Sequence, residues 1–292
     1  MPTSRSRTTS PGKAGERAIA HVAALSTGPA LDDRLRITLN FHPDRPHGGV
    51  PLLQALLEDG VYRSQFETGS SNGGLSAFPG GARWQWESRI FGQAYDGADP
   101  AERPKYGALD YRRRAAGGSP RFGSAHLRLR PAVLRRSTFC YPDSVFEPAH
   151  FGTAQRMDLI ERALADSKDA LDDYIEAHVH GPLRLEDDVE ALVLDPCYRG
   201  GIIEDLARRL PCALEWHPGF RLPVDILRRH PDYRGQDIVD LGARIADEDW
   251  LDPACIGRAA WSGRHDPQAL KKVWHCLARF GDLSRPDAAS AS

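Results

Sequence analysis

The residues able to do chemistry fall in a few short phrases. Asn40-Phe41-His42-Pro43-Asp44-Arg45 follows a run of alternating apolar residues, so it forms the loop at the end of a scaffold strand, where side chains enter a cleft without disturbing a sheet. There His42 can act as a hydrogen-bond donor or base and Arg45 as an anion clamp. Read structurally, the same phrase is turn chemistry with a surface ion pair of Asp44 and Arg45. Tyr62 to Gly74 ends in Gly69-Ser70-Ser71-Asn72-Gly73-Gly74, whose glycines admit a close backbone approach and whose Ser70, Ser71 and Asn72 suit phosphate or ribose hydroxyls. It is not a P-loop, because no Gly-Lys-Ser/Thr ends it, and no βα unit frames a dinucleotide fingerprint. A flexible linker is the other reading.

Arg103-Pro104-Lys105-Tyr106-Gly107 and Arg121-Phe122-Gly123 each set a cation beside an aromatic ring. Such pairs stack on a planar heterocycle while the cation holds phosphate, or the rings are core. Glu186 and Glu190, four apart, share a face of a predicted strand and are candidate acids or bases, with a solvated face as the alternative. His178-Val179-His180 puts two imidazoles on one side of an extended chain, but no third ligand stands at diagnostic spacing, and no metal is assigned. His217-Pro218-Gly219 and His230-Pro231-Asp232 read as structural turns. Neither an H-E-x-x-H motif nor the kinase set is present.

These phrases need a scaffold. The pattern predicts a helix over Glu16 to Ala24, a strand over Leu35 to Phe41, a helix over Val50 to Leu57 stopped by Asp59-Gly60, and a helix face at Trp84, Trp86, Ile90 and Phe91. Strands follow at Tyr106 to Leu109, at Ala125 to Arg130 and at Ser137 to Tyr141. Ala154 to His178 reads as one helix, with Met157, Ile160, Leu164, Leu171 and Ile175 on its apolar face. Leu183 to Leu194 then holds a strand ended by Asp195-Pro196, Ile203 to Leu210 a helix, Cys212 to Trp216 a strand, and helices run through Trp274 to Phe280. Short strands mixed with helices predict an α+β fold: a single domain over residues 16–285, with a small mixed or antiparallel sheet, flanking helices and a helical part over 220–285. Residues 1–15 read as a disordered basic arm and 286–292 as a disordered tail.

Composition sets the outer bounds. The 292 residues are 41% hydrophobic and 27% charged, enough apolar material for a real core, which excludes wholesale disorder. Lys+Arg 38 against Asp+Glu 40 leaves a formal charge of -2, so no global basic field drives nucleic-acid binding, although a local patch keeps nucleic acid open as a partner. No run reaches the roughly 18–20 apolar residues of a membrane helix, and no secretory signal precedes the fold. The chain reads as soluble and cytoplasmic, with no membrane partner. The five cysteines are scattered without a C-x-x-C pair, which argues against a zinc ribbon or disulfide scaffold.

Seven phrases resemble a bacterial domain family of unknown function: NFHPDR, YRSQFETGSSNGG, WESRIFGQAYD, RPKYGAL, FGSAHLRLRP, TFCYPDS and VLDPCYRG, spread from about Ile37 to Phe280. A second resemblance is to ADP-ribosyltransferases of the toxin and phage-head type. It implies NAD as the substrate, no metal, and an unidentified macromolecule as acceptor. It also implies that His42 or Arg45, then Ser70 and Ser71 or Tyr106, then Glu190 with Glu186 in reserve, meet around the nicotinamide ribose. On that resemblance His42, Tyr106 and Glu190 are the catalytic candidates, and Arg45, Gly69, Ser70, Ser71, Asn72, Arg103 and Lys105 hold the cofactor. The alternatives are a metal-independent ribonuclease using His42 and the Arg128/Arg130 face, and a non-catalytic nucleotide-binding module.

Overall fold

Strand β1 (Ile37–Phe41) separates two unlike faces of a sheet. Its side chains alternate, so Ile37, Leu39 and Phe41 enter the main apolar core while Thr38 and Asn40 point the other way. The computed structural model describes residues 10–69 and 76–284. Ahead of β1 lies helix α1 (Gly12–Leu25). After it come a small hairpin of β2 (Pro46–His47) and β3 (Val50–Pro51), then α2 (Leu52–Asp59), α3 (Gln65–Thr68) and α4 (Ala82–Ile90). The chain continues through β4 (Lys105–Leu109), β5 (Ala125–Leu129), β6 (Ser137–Tyr141), β7 (His150–Thr153), α5 (Leu159–Ala165), β8 (Ile175–Val179), α6 (Leu185–Asp188), β9 (Val189–Leu194), α7 (Ile202–Ala207) and β10 (Ala213–Trp216).

Eight of these strands form one sheet in the order β10-β9-β5-β1-β4-β8-β6-β7. Its neighbours are antiparallel except for β10 and β9, which run parallel, so the sheet is mixed and the fold is α+β. One face is apolar and continuous. Leu39, Leu127, Leu109, Ala177, Phe139 and Leu192 meet there with Leu53 of α2, Leu159 of α5 and Leu206 of α7. The other face carries polar side chains on strand after strand, among them Asn40, His126, Tyr106, Glu176, His178 and Thr138. Part of it is roofed by α1 and α4 through Ala18, Val22, Trp86, Ile90 and Phe91.

The C-terminal part is a helical lobe with its own core around Leu227, Val239, Leu251, Val273, Trp274 and Leu277. It comprises β11 (Leu222–Pro223), α8 (Val224–Leu227), α9 (Pro231–Arg234), α10 (Gln236–Ile245), β12 (Trp250–Leu251), α11 (Pro253–Trp261) and α12 (Pro267–Phe280). Two indoles tie this lobe to the loops at the sheet end. Trp261 Nε1 donates to the Asp44 carbonyl at 2.7 Å, and Trp274 Nε1 to the Pro120 carbonyl at 3.0 Å. Among the described residues, no helix is long and apolar enough to cross a membrane.

Two sequence expectations change. The helix expected from Ala154 to His178 is only α5, which ends where Asp166 turns extended. The segment from Ile175 to Val179 is instead strand β8, because Ile175, Ala177 and Val179 alternate into the apolar core between polar partners. At the other end, α1 begins at Gly12, inside the segment read as an arm. Gly15 lies so close to the sheet that a Cβ there would stand 3.2 Å from His180 Cβ.

Gly123 is the tightest backbone contact beside the site, since a Cβ built there would fall 2.0 Å from the Phe41 carbonyl carbon. Gly123→Ala therefore forces β1 and the 120–123 turn apart and is expected to cost at least about 2 kcal/mol. Gly97→Ala, with open space around it, should stay within about 0.5 kcal/mol. Denaturant unfolding of the two variants checks the difference, and equal midpoints would contradict the close approach.

Candidate functional site

Three adjoining cavities surround the loop that leaves β1. The largest, about 340 Å³, lies between that loop and helices α11 and α12. His42 lines it, with its ring edge-on to Trp274 at 4.7 Å between centroids and Nδ1 3.5 Å from Ser124 Oγ. Burial, helped by the Arg45 charge, drops the His42 pKa to about 3. The imidazole is thus neutral at physiological pH and can orient a group by hydrogen bonding but does not supply a proton. Arg45, Arg121 and Lys271 bring positive charge to the same walls, and Phe122, Ile256 and Trp274 supply apolar surface.

Phe122 also lines a smaller, deeper cavity of about 60 Å³ over the polar face of the sheet. Asn40 of β1, Tyr106 of β4 and Glu176 of β8 reach it from three strands that are consecutive neighbours. Arg83 of α4 roofs it, with its guanidinium 4.2 Å from the Tyr106 ring centroid, 3.1 Å from Ser144 Oγ and 4.0 Å from Glu176 Oε1. Asp143, Ser144 and Tyr174 close the far side. A third cavity, about 140 Å³, shares Tyr62, Gln65 and Tyr106 with the second, and Arg45 with the first. Among the described residues, Arg83 Nε and Gln65 Oε1 are buried polar atoms without a hydrogen-bond partner, and both residues line the 60 Å³ cavity. Native interiors seldom leave such atoms unpaired, so a polar molecule in the cavity, water included, would satisfy both.

Two carboxylates in this cavity are driven apart. Burial opposes charge on Glu176, but it is outweighed by donors: His178 Nε2 lies 3.1 Å from Oε1 and Ser144 Oγ 3.0 Å from Oε2, with the Arg83 charge alongside. The net effect holds Glu176 below the usual glutamate range. Asp143 is raised instead, by burial and by the nearby Glu176 charge, despite a bond from the Tyr174 hydroxyl. One site thus holds an ionised carboxylate beside a carboxyl that keeps its proton more readily, the division of labour acid–base chemistry requires.

The structure distributes the sequence candidates unevenly. His42 and Arg45 line the large cavity and Tyr106 the two smaller ones. Tyr106 is fixed by donating its hydroxyl to Glu87 Oε1 at 2.7 Å. Arg103 is turned away into a buried ion pair with Glu87 at 2.6 Å, a bond to the Tyr95 carbonyl and a stack on Phe66, so it braces the Tyr106 anchor instead of holding a ligand. Lys105 lines the third cavity and gives Nζ to the carbonyls of Ala101, Arg103 and Gly181, which uses the three donors of an ammonium. Glu190 is paired with Arg36 at 2.7 Å and Arg128 at 3.4 Å on the half-exposed part of the sheet. At about 4.8 Å per strand, β9 lies about 19 Å across the sheet from β8, too far for Glu190 to share a reacting centre with Tyr106 and Glu176. Glu186 is exposed on α6. The same pairing with Glu190, and a second with Glu215, occupies Arg128, one of the two arginines of the face expected to grip phosphates, while Arg130 is exposed. Gly69 takes φ 60° as the left-handed cap of α3, and Ser70, Ser71 and Asn72 lie outside the described residues.

The residues that sequence reasoning missed are Glu176, Arg83, Asp143 and Ser144. Glu176 was hidden by reading its segment as helix, although the alternation Ile175, Ala177, Val179 against Glu176, His178, His180 carries the signal of a strand. Cys140 Sγ, Glu176 and His178 fall within 4.8 Å of one another, but Glu176 and His178 spend the facing atoms on their mutual hydrogen bond, and we read the group as a hydrogen-bonded cluster.

Asp44 offers a pH test of the large cavity. Burial raises its carboxyl from 3.8 to about 7, against a lowering bond from Tyr198, and Asp44 Oδ2 sits where a Cβ on Gly257 of α11 would fall. Between 3.8 and about 7 the folded chain binds a proton that the unfolded chain has lost, so this group makes stability fall as pH rises through that window. Asp44→Asn should flatten the fall in Tm across the window and leave the variant the more stable at pH above it. Parallel Tm profiles for the two proteins would contradict the burial of that carboxyl.

Comparison with known proteins places this architecture in a family. No curated protein matches the chain. A family model described as a protein of unknown function, DUF3626, matches residues 36–168 and 165–280, a stretch that takes in both the sheet and the helical lobe. The chain therefore belongs to the DUF3626 family.

Proposed function

We propose that the protein binds NAD in the joined cavities and cleaves its nicotinamide–ribose bond, passing ADP-ribose to a macromolecule or to water. The observation that carries this reading is Glu176, a buried carboxylate held ionised at an aromatic-walled cavity that adjoins a larger cavity lined by Arg45, Arg121 and Lys271. NAD has the complementary layout: a cationic nicotinamide ribose at one end and an anionic diphosphate next to it. The resemblance to ADP-ribosyltransferases gave the glutamate's role to Glu190, and this reading moves it to Glu176. A strand-end histidine, a strand-borne tyrosine and a strand-borne glutamate fall on β1, β4 and β8, three adjacent strands.

Each residue then has a role. When the C1′–N bond breaks, its electron pair leaves with neutral nicotinamide and the ribose becomes an oxocarbenium-like cation. Glu176, in a site shielded from water, stabilises that charge where it develops. Tyr106, locked by Glu87, packs against the nicotinamide ring. His42 orients a ribose hydroxyl by hydrogen bonding, and Arg45 faces the diphosphate, with Arg121 beside it in its pair with Asp172. Asp143, which burial makes the stronger base once it has lost its proton, takes the proton of the incoming nucleophile as the new bond to C1′ forms. At about 60 Å³ the inner cavity is smaller than a nicotinamide ring, so binding must widen it, at the Val145 and Phe122 walls. For the ribonuclease alternative, the low pKa of His42 removes the acid role from that residue. Of the Arg128/Arg130 face that alternative would use, Arg128 is already paired with Glu190 and Glu215.

Incubation with NAD, followed for free nicotinamide, tests the reading. The wild-type protein should release nicotinamide, and Glu176→Gln should lower the rate at least about 100-fold with the fold intact. Glu190→Gln should stay within about twofold of wild type, because its loss disturbs only a partly exposed ion pair. Nicotinamide release that survives Glu176→Gln would overturn the assignment. A shift of Tm by NAD without release would leave a nucleotide-binding module.

A further inference from the structure

Behind Glu176 runs a line of hydrogen bonds that the reaction as described does not use. His178 Nε2 meets Glu176 Oε1 at 3.1 Å, and His178 Nδ1 meets Thr138 Oγ1 at 3.0 Å. Thr138 Oγ1 in turn meets His180 Nε2 at 2.9 Å, and His180 Nδ1 meets the Tyr95 hydroxyl at 2.7 Å. The line crosses from β8 to β6, returns to the end of β8 and finishes on the turn after α4. It is dry. His178 and His180 are 0% exposed, and Phe91 stands edge-on to both rings at 5.4 and 5.2 Å, with Trp86 at 5.3 Å from His178.

Chemistry gives the line one direction. An ionised carboxylate only accepts, so His178 Nε2 carries a proton. A neutral imidazole then presents Nδ1 as an acceptor, which the Thr138 hydroxyl must fill as donor. Thr138 Oγ1 is left to accept from His180 Nε2–H, and His180 Nδ1 accepts from the Tyr95 hydroxyl. Each donor has an acceptor and no proton is contested. Burial favours the neutral form of both histidines, with the Glu176 charge opposing this at His178 and the charges of Arg136 and Lys105 reinforcing it at His180.

We propose that Tyr95, His180, Thr138 and His178 form a one-way positioning relay that fixes the His178 tautomer and thereby holds the Glu176 carboxylate in the orientation the reacting ribose needs. This rests on the NAD reading of the site. None of these four residues lines the cavities described above, so they act through Glu176 and not on substrate. Glu176 is faced by Arg83 from α4, Tyr106 from β4, Cys140 from β6, Asp143 and Ser144 from the turn beyond β6, and Tyr174 and His178 from its own strand region. His178 supplies the donor to Oε1, while Ser144 serves Oε2, so losing the relay frees one oxygen and lets the carboxylate swing.

Nitrogen-15 NMR of labelled histidine in the free protein reads the relay without any substrate. The expected result is a neutral Nε2–H tautomer for both His178 and His180 from about pH 6 to 8. An imidazolium in that range, or an Nδ1–H tautomer at His178, would overturn the proposal. Thr138→Val removes the hydroxyl from a position that touches no cavity. It should mix the His178 tautomers and lower kcat for nicotinamide release about 10-fold, with KM within about twofold. Thr138→Ser should restore both. A Thr138→Val protein that folds with wild-type tautomers and kcat would also overturn it. If the tautomers are as expected but the wild-type protein releases no nicotinamide, the relay stands and the NAD reading falls, so the two failures are told apart.

Discussion

A carboxylate that keeps its charge under a protein sheet must be surrounded by donors, and the polar face of this molecule is organised around that demand at Glu176. Desolvation alone would protonate such a group. Here His178, Ser144 and Arg83 outweigh it, and each of them is held in turn: His178 by Thr138, Ser144 by its place in the turn after β6, and Arg83 by stacking on Tyr106. The tyrosine is held by Glu87, and Glu87 by Arg103. Breaking the buried Glu87–Arg103 pair on one side would leave a bare charge in the interior, a loss of about 3–5 kcal/mol, so this outer layer tolerates change no better than the site itself.

The helical lobe gives that inner site an outer room. Trp261 and Trp274 donate to backbone carbonyls on the two loops at the sheet end, so the lobe fixes the positions of both His42 and Phe122. Phe122 lines both the large cavity of Arg45, Arg121 and Lys271 and the small one of Arg83, Asp143 and Glu176. The docking of sheet and lobe is what sets these two cavities side by side. The match of the family across both parts agrees with their acting as one unit.

Much of the scaffold was legible in the residues. The strand before His42, the alternation of Ala125 to Leu129, the stop at Asp59-Gly60 and the helical end of the chain all follow from local periodicity and turn chemistry. So did His42, Arg45 and Tyr106 as cavity residues. The carboxylate was not. Met157, Ile160 and Leu164 set a helical period that runs in sequence straight into Leu171 and Ile175, and it masks the two-residue alternation by which Ile175, Ala177 and Val179 face the core as a strand. Arg103, Lys105 and Glu190 show a different limit. A charged residue beside a glycine or on a strand looks the same in sequence whether it awaits a ligand or already has a partner, and these three have partners brought from distant segments.

The charge state of one group decides the account. Carbon-13 NMR titration of the Glu176 side-chain carboxyl, assigned by its disappearance in Glu176→Gln, measures that state directly. The account predicts a carboxylate at neutral pH with a midpoint below the usual glutamate range, and a Glu176 that remains protonated at neutral pH would contradict it.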